Sequence, residues 1–395
     1  TFTEADDTYH ASHSDVPVGK PYECAENTGL CSVTISGGKI GPTSMSMPNY
    51  YGNVFGAGRG EMHDPADYPN LETSAYFNKT KVLINGNAFV KGSVYGGAES
   101  GHVLNDTEVE INGNCQIGCG YDGSTNGAGD LDRVSTPAEW AYDVTTDNTK
   151  FLYECNSWPY QAPYTPYDKF ADEDGKYPDN SSADNAHSTG TDGHTFYGNV
   201  FGGGSGSTPY AAGKWLPTAG WVEGNTTVEI KGGHILTSVY GGNEMSDVGA
   251  GGVRKMTDLT NETADMFYDI TKSGGKCTVK MSGGTIGVPR TLDQITAHPV
   301  TCYVFGAVKG DQRIFFNTWT NIREAEVNIT GNARIYGSVF GGGEDGHVIE
   351  NAKTNIGGSV TLTSGETSTT YTAQDGLLIG TTGTSYVDGN VFGNR

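Results

Sequence analysis

The chain has 395 residues and carries 46 acidic against 24 basic residues, for a formal net charge of −22. Nucleic acid is not expected as a partner, because binding to phosphates needs a basic surface. The sequence holds no apolar run of 18 residues, so no membrane span is expected. Glycine occupies 59 positions, about twice its average usage, which fits a chain that turns a corner at every strand end.

Residues 1–29 come first and lack the motifs that recur later. We expect them to form a cap or the remnant of a preceding turn, because the open end of a stack exposes unpaired strand edges. The chain opens at Thr1 without Met or a signal peptide, so we expect a mature or excised segment.

Two short motifs then alternate along the chain. The first has the form T-x-V-x-I-x-G-G and is degenerate at Thr354; its central residues are Val33, Val82, Val109, Val228, Val279 and Val327. The second has the form G-x-V-[FY]-G, with central residues Val54, Val94, Val200, Val239, Val304, Val339 and Val391. Val82 and Val109 lie 27 residues apart, as do Val327 and Thr354. A fixed period of this size is typical of a solenoid or array.

The pattern inside each motif indicates which solenoid. Apolar residues alternate with Thr, Glu, Lys, Asn and Ser, which is the period of a strand with one buried face. Glycines bracket both motifs and allow tight corners, so each turn is predicted to run strand, corner, strand, corner. Stacked about 4.8 Å apart, such turns give an all-β fold, a parallel β-solenoid with long loop insertions. We predict that the two sets of valines form two buried columns.

The sequence also contains a longer repeat that spans several turns. The segment C-S-V-T-I-S-G-G-K-I-G at Cys31 resembles C-T-V-K-M-S-G-G-T-I-G at Cys277. We therefore predict one solenoid body over residues 30–395, made of three cassettes. The cassettes cover about 30–195, 196–274 and 275–395, and a large insertion lies at 120–195. Function in solenoids usually resides in such loops.

The segment D-G-S-T-N-G-A-G-D-L-D of the large insertion resembles a calcium-binding loop. Its oxygen-bearing side chains surround a glycine turn and are Asp122, Ser124, Asn126, Asp130 and Asp132. Alternating hard oxygens can converge on one Ca²⁺. The segment departs from the EF-hand pattern where Arg133 replaces the bidentate Glu. The segment is therefore interpreted as an ordinary polar loop, with a calcium site as the alternative, and Ca²⁺ is the one cofactor that the sequence suggests.

The same insertion is rich in aromatic residues. They are Trp140, Tyr142, Tyr153, Trp158, Tyr160, Tyr164 and Tyr167. Flat aromatic rings on loops can stack on sugar rings, so the first five are predicted as carbohydrate-stacking residues. The alternative is that they pack the insertion onto the flank of the solenoid.

A carboxylate recurs three residues before a polar residue at one corner of each cassette. The pairs are Glu99 with His102, Glu244 with Asp247, and Glu344 with His347. Such pairs could serve acid–base chemistry or bind a metal. An active site is normally built once, however, so repetition favours carboxylates that cap backbone N–H groups. We predict no catalytic residue.

Seven cysteines are present, without a C-x-x-C pair, so a zinc ribbon is not supported. We predict disulfides between Cys24 and Cys31 and between Cys277 and Cys302, because each pair is local. The pairing of Cys115, Cys119 and Cys155 stays open. Disulfides would place the protein in an oxidising exterior compartment.

The combined string G-N-V-F-G-G-G, T-x-V-x-I-x-G-G and G-S-V-[FY]-G-G-G-E-x-G-x-V is similar to the glycine-rich repeats of very large secreted surface proteins of gut Bacteroidales. The resemblance covers most of residues 30–118, 196–248 and 275–395 and includes L-I-G-T-T-G-T-S-Y-V-D-G-N-V-F-G at 378–393. It implies secretion, a cell-surface location and an adhesive or structural role, and it transfers no catalytic residue.

The expected function is therefore that of an extracellular structural or adhesive surface protein. Its expected partners are further copies of itself, joined end to end in a fibre, or host and cell-surface glycans or proteins. The alternative is a solenoid polysaccharide lyase or hydrolase, or a carbohydrate-binding module acting through the aromatic insertion. An enzyme of that kind needs a unique carboxylate cluster, or calcium plus a basic residue, on one strand face.

Overall fold

A computed structural model describes fourteen segments of the chain, and every structural statement below refers to them. They are residues 29–41, 52–60, 75–118, 120–121, 131–132, 198–206, 218–252, 268–287, 302–310, 320–357, 360–364, 367–371, 385–387 and 389–393. Regular structure within these residues consists of β-strands, numbered β1 to β29 in chain order. The predicted all-β class is confirmed. None of the described segments contains a helix long and apolar enough to cross a membrane.

Three parallel sheets of seven strands each make up most of the structure. Sheet A is formed by β1 (Leu30–Ile35), β5 (Lys79–Ile84), β9 (Thr107–Ile111), β14 (Thr226–Ile230), β17 (Lys276–Met281), β21 (Glu324–Ile329) and β25 (Ala352–Ile356). Sheet B is formed by β2 (Lys39–Ile40), β6 (Phe89–Val90), β10 (Gln116–Ile117), β15 (His234–Ile235), β18 (Thr285–Ile286), β22 (Arg334–Ile335) and β28 (Tyr386–Val387). Sheet C is formed by β3 (Val54–Phe55), β7 (Val94–Tyr95), β13 (Val200–Phe201), β16 (Val239–Tyr240), β19 (Tyr303–Phe305), β23 (Ser338–Phe340) and β29 (Val391–Phe392).

Four smaller two-stranded pairs complete the described structure. Two are parallel: β4 (Tyr76–Phe77) with β8 (His102–Val103), and β20 (Asn321–Ile322) with β24 (His347–Val348). Two are antiparallel: β11 (Gly120–Tyr121) with β12 (Leu131–Asp132), and β26 (Val360–Ser364) with β27 (Thr367–Tyr371).

The chain visits sheets A, B and C in rotation, and one such set of three strands is called a rung. Rung 1 is β1, β2 and β3, and rung 7 is β25, β28 and β29. The sequence predicts two strands per turn, and this is wrong, since each rung has three. The missing strand belongs to sheet B, whose two-residue strands, such as Lys39–Ile40, lack a constant motif like the V-[FY]-G that marks the short strands of sheet C.

Both predicted valine columns are confirmed. In sheet A, Val33 pairs with Val82 and the register continues to Val327 and Thr354. In sheet C the register runs from Val54 to Val391. The columns lie in one apolar core with the isoleucines of sheet B. The valines of both columns are buried except at the ends, where Val33 is half-buried and Val391 is 49% exposed, so the prediction of burial is wrong at Val391.

Polar groups also tie the sheets to one another. The hydroxyls of Thr80, Thr107 and Thr226 each donate a hydrogen bond to the carbonyl of a glycine that follows a sheet C strand, at 2.5, 2.6 and 2.5 Å. The glycine itself is required by close approach between rungs. A Cβ at Gly96 would strike the carbonyl oxygen of Gly202 on the next rung. This explains the last glycine of the V-[FY]-G motif.

Candidate functional site

The corner after sheet C brings charged side chains from different rungs into one column. The members are joined in order by parallel bridges and are Arg59, Glu99, Ser205, Glu244, Lys309 and Glu344. The residue after each glutamate has a positive φ, at Ser100, Met245 and Asp345. The chain therefore turns sharply at this corner, and the carboxylates are held at equivalent heights. We call this set the corner column.

Beside it runs a stack of aromatic rings from sheet C. Neighbouring ring centroids lie 4.6 to 5.2 Å apart, with ring planes within 11° of parallel. The rings belong to Phe55, Tyr95, Phe201, Tyr240, Phe305, Phe340 and Phe392. The strict register of the sheet produces this stack, since each ring follows a valine of the core column. The hydroxyl groups of Tyr95 and Tyr240 point toward the corner column.

Glu244 is the centre of the network. The hydroxyl of Tyr95 donates a hydrogen bond to its Oε2 at 2.9 Å, and the hydroxyl of Ser205 donates to the same oxygen at 2.8 Å. The Nζ of Lys309 lies 3.7 Å from Oε1. Burial raises the pKa of Tyr95 well above its ordinary value, and the charge of Glu244 raises it further. The phenol is therefore a neutral donor to a buried carboxylate.

The same arrangement recurs two rungs further on. The hydroxyl of Tyr240 donates a hydrogen bond to Oε2 of Glu344. Burial, followed by the charge of Glu344, raises the pKa of Tyr240 well above its ordinary value. Each tyrosine thus reaches past one rung to a carboxylate on the second. Because this contact repeats, the network links rungs to one another. The 3.6 Å contact between Arg59 and Glu99 links rungs 1 and 2 in the same way.

Asp247 caps a backbone N–H group, although the sequence predicts this capping for the glutamates of the repeated pairs. Its Oδ1 accepts a hydrogen bond from the backbone N–H of Asn321 at 2.7 Å. The hydroxyl of Tyr268 donates to the carbonyl of Val248 at 2.8 Å. Burial and the nearby charge of Asp247 raise the pKa of Tyr268. At Glu244 and Glu344, by contrast, the structure shows hydroxyl donors from other rungs, which a local sequence pattern does not reveal.

A second column lies on the flank of the molecule and includes His102. His102 is buried, with its ring stacked on the indole of Trp221 at 4.8 Å and tilted against Tyr76 at 5.4 Å. Its Nε2 lies 3.2 Å from Oε1 of Glu223. The indole N–H of Trp221 donates to the carbonyl of Gly249 at 3.0 Å. An imidazole enclosed in this way holds neighbouring rungs together, but it presents little surface to a ligand.

Three carboxylates lie close together on the outer face of sheet A. Glu108, Glu110 and Glu229 are half-buried, and each offers one oxygen within 4.8 Å of the others. Hard oxygens of this kind could hold a divalent cation. Lysines already accompany them, however. The Nζ of Lys81 lies 2.8 Å from Glu108, while that of Lys231 lies 3.1 Å from Glu110 and 2.9 Å from Glu229.

These lysines supply the countercharge that a metal ion would otherwise provide. Glu110 and Glu229 face each other on adjacent strands, an arrangement that is unfavourable without a cation between them. Their carboxylates, Glu229 first, raise the pKa of Lys231 above its ordinary value. The cluster is therefore an ion-pair network that joins rungs 2, 3 and 4, and the residues fit a bound metal poorly.

The disulfide predicted between Cys277 and Cys302 is absent, because both residues carry thiols. Cys277 faces inward from sheet A at the position that Thr226 holds on the preceding rung. It packs in a small apolar cluster beside the flank, whereas Cys302 packs in the main core between the sheets. Burial raises the pKa of Cys277 to about 12. Cys31 is a half-buried thiol in the same column, and Cys24 lies outside the described residues.

The other predicted site residues fall largely outside the described segments. Of the calcium loop, only Asp132 lies within them, where it ends β12 and pairs with Gly120. All of the predicted carbohydrate-stacking residues, from Trp140 to Tyr160, lie outside. The predictions of a calcium site and of a sugar-binding loop therefore stay predictions.

Comparison of the chain with protein-family models, with curated proteins and with solved structures finds no match.

Proposed function

We propose that the protein is an extracellular structural or adhesive surface element whose body is a parallel β-solenoid. Three parallel sheets visited in rotation, with strands of like sequence in register, support a solenoid. Seven rungs at about 4.8 Å span about 29 Å along the stack. The resemblance of the motifs to secreted surface proteins supports an exterior location.

One observation carries the proposal: the charged side chains that the structure groups together are engaged with neighbouring rungs. Glu244 accepts hydrogen bonds from hydroxyls of two earlier rungs, and Lys231 bridges two strands of sheet A. Such contacts stabilise a repeating body. They leave the insertions to meet a ligand, which is how repeat proteins usually bind.

The alternative is a solenoid enzyme that acts on acidic polysaccharides. The observation that favours it is the group of Glu108, Glu110 and Glu229 on one strand face. An acid and a base of a glycosidase need different environments, so that one carboxyl holds a proton while the other does not. Here each of the three carboxylates contacts a lysine, so their surroundings are alike rather than different. The structural proposal is therefore preferred.

Surface retention and polysaccharide cleavage, measured side by side, test the proposal. Beads coated with the chain would be passed over mucin and over epithelial cells, with an unfolded Val228→Asp variant as the matched coating control. We expect greater retention for the native chain, and no release of reducing ends or unsaturated sugars from acidic polysaccharides. Equal retention, together with cleavage that Glu229→Gln abolishes, would overturn the proposal in favour of the enzyme.

A further inference from the structure

Two rungs turn the corner between sheets A and B on the same sequence. Residues 84–87 and residues 111–114 both read I-N-G-N, so each corner has an asparagine followed by a glycine. The backbone N–H groups of Asn85 and Asn112 each donate to a carbonyl of the preceding rung at 2.9 Å. The two asparagines therefore have the same sequence neighbours and equivalent places in the fold. Any difference in their reactivity must come from the surroundings of their side chains.

The side chain of Asn112 is folded back onto the backbone that follows it. The N–H of Gly113 donates a hydrogen bond to Oδ1 of Asn112 at 2.7 Å, and this contact is exposed to solvent. The side-chain carbonyl carbon is bonded to that oxygen, so it lies beside the Gly113 nitrogen. These are the two atoms that close a succinimide ring, and glycine has no Cβ to obstruct their approach. A reaction within one chain is faster when the reacting atoms are already held together.

We propose that Asn112 is a site of spontaneous deamidation in the folded protein. The Gly113 nitrogen attacks the side-chain carbonyl carbon of Asn112 and passes its proton through water to Nδ2. The bond from that carbon to Nδ2 breaks, ammonia leaves, and a succinimide remains. One water then opens the ring: cleavage at the side-chain carbonyl carbon gives aspartate, and cleavage at the backbone carbonyl carbon gives isoaspartate. Nothing is oxidised or reduced, and water is the only other reactant.

Asn85 has the same sequence neighbours but a different environment. Its Oδ1 is buried, and no donor among the described residues binds it. Attack on this side chain would develop negative charge on an oxygen that is shielded from water and has no hydrogen bond. Such a charge is strongly disfavoured. The reaction at Asn85 is therefore slow, whereas at Asn112 the corresponding oxygen lies in a contact that solvent reaches.

The two products change the corner in different ways. Aspartate adds a negative charge next to Lys231, which holds the equivalent position on rung 4 because its N–H donates to the carbonyl of Ile111. Isoaspartate inserts a methylene group into the backbone before Gly113. The carbonyl of Gly113 accepts from the N–H of Gly233 at 2.8 Å, so the added length displaces a bond between rungs 3 and 4. Isoaspartate at Asn112 therefore loosens the stack as the protein ages. The inference goes beyond the proposed function and does not depend on it.

Peptide mapping by mass spectrometry would test the inference, with Asn85 as the internal control. The whole folded chain would be incubated in mildly alkaline buffer beside a sample unfolded in guanidinium chloride, and aspartate and isoaspartate would be followed at both positions. In the folded chain we expect conversion about tenfold faster at Asn112 than at Asn85, which corresponds to a barrier lower by about 1.4 kcal/mol. In guanidinium chloride the two rates should be equal, because the local sequence is the same.

A variant pair tests the effect of the reaction on stability. Asn112→Gln keeps the amide but adds a methylene group, so the succinimide ring cannot form. After incubation the native chain should unfold at a lower urea concentration than before, and Asn112→Gln should keep its midpoint. Asn85→Gln is the matched control and should age as the native chain does. An Asn112→Gln chain that loses as much stability as the native chain contradicts the loosening of the corner.

Two results of the mapping would overturn the deamidation site itself. One is conversion at Asn112 that is no faster than conversion at Asn85 in the folded chain. The other is a preference for Asn112 that persists in guanidinium chloride, because the fold would then not be its cause. Both results are read from the native sequence and do not depend on the folding of a variant.

Discussion

Replacing Glu244 by alanine should destabilise the protein by about 4 kcal/mol. The carboxylate accepts hydrogen bonds from Tyr95 and Ser205 and lies beside Lys309. Hydrogen bonds to a charged group contribute about 1.5–3 kcal/mol each, and removing one partner of a buried ion pair costs about 3–5 kcal/mol because the other charge is left without compensation. These contributions overlap, since the same carboxylate supplies both, so the total lies near the middle of the range.

Urea unfolding followed by circular dichroism would measure the loss. Glu99→Ala is the matched control, because its partner Arg59 is 74% exposed at the side chain, and exposed ion pairs contribute about 0–1 kcal/mol. Combining Glu244→Ala with Tyr95→Phe should give a coupling free energy above about 1 kcal/mol, since the two groups share a hydrogen bond. Strict additivity of the two substitutions, or a cost for Glu244→Ala no larger than for Glu99→Ala, would refute the network.

Three further outcomes follow from the described contacts. Gly96→Ala should prevent normal folding because its Cβ meets backbone of the next rung, whereas Gly37→Ala, with open space around its Cβ, should fold normally; thermal unfolding of both checks this. Lys276 lowers the pKa of Glu326 in the folded state. The stability that this pair contributes is therefore present above the ordinary carboxyl pKa of about 4.3 and is lost as the pH falls through the lower folded pKa. Unfolding of Lys276→Met measured across pH should show that this pH dependence is lost. Cys277, with its pKa raised to about 12, should react with iodoacetamide only after unfolding, and peptide mapping that finds it alkylated in the native chain would contradict its burial.

The sequence predicts the two principal sheets because their signal is local. In β5 and β9, alternation between buried and half-buried residues follows the alternation of the letters, and equal spacing brings Val82 opposite Val109. Sheet B escapes prediction because the first residue of its two-residue strands varies, from Lys39 to Phe89 to Gln116, whereas the equally short strands of sheet C carry the repeated V-[FY]-G motif. The last glycine of V-[FY]-G is visible as a repeat, while its cause, the carbonyl of the next rung, appears only when rungs are stacked.

The site residues were harder to predict for the same reason. Tyr95 and Glu244 lie 149 positions apart, and no local pattern connects them. For the cysteines a local pattern does exist, but it does not indicate a disulfide. Cys31 and Cys277 open similar motifs because both occupy an inward position that also accepts threonine and alanine, not because they pair with a nearby thiol. The repeated residues at this inward position are therefore explained by the need for a small side chain.

The order of residues in the corner column explains how rungs of nearly identical sequence stay in register. Glutamates stand on rungs 2, 4 and 6, and the rungs between them carry Ser205 and Lys309. Two carboxylates about 4.8 Å apart would repel each other by about 3.5 kcal/mol at an effective dielectric constant of about 20. A slip of one rung would bring such pairs together and would separate Tyr95 and Tyr240 from their acceptors. The valine columns alone would tolerate that slip, because sheet C offers valine on every rung and sheet A on every rung but the last, where Thr354 stands. Stacking is therefore driven by the apolar columns, and the register of the stack is fixed by the alternating charges at the corner.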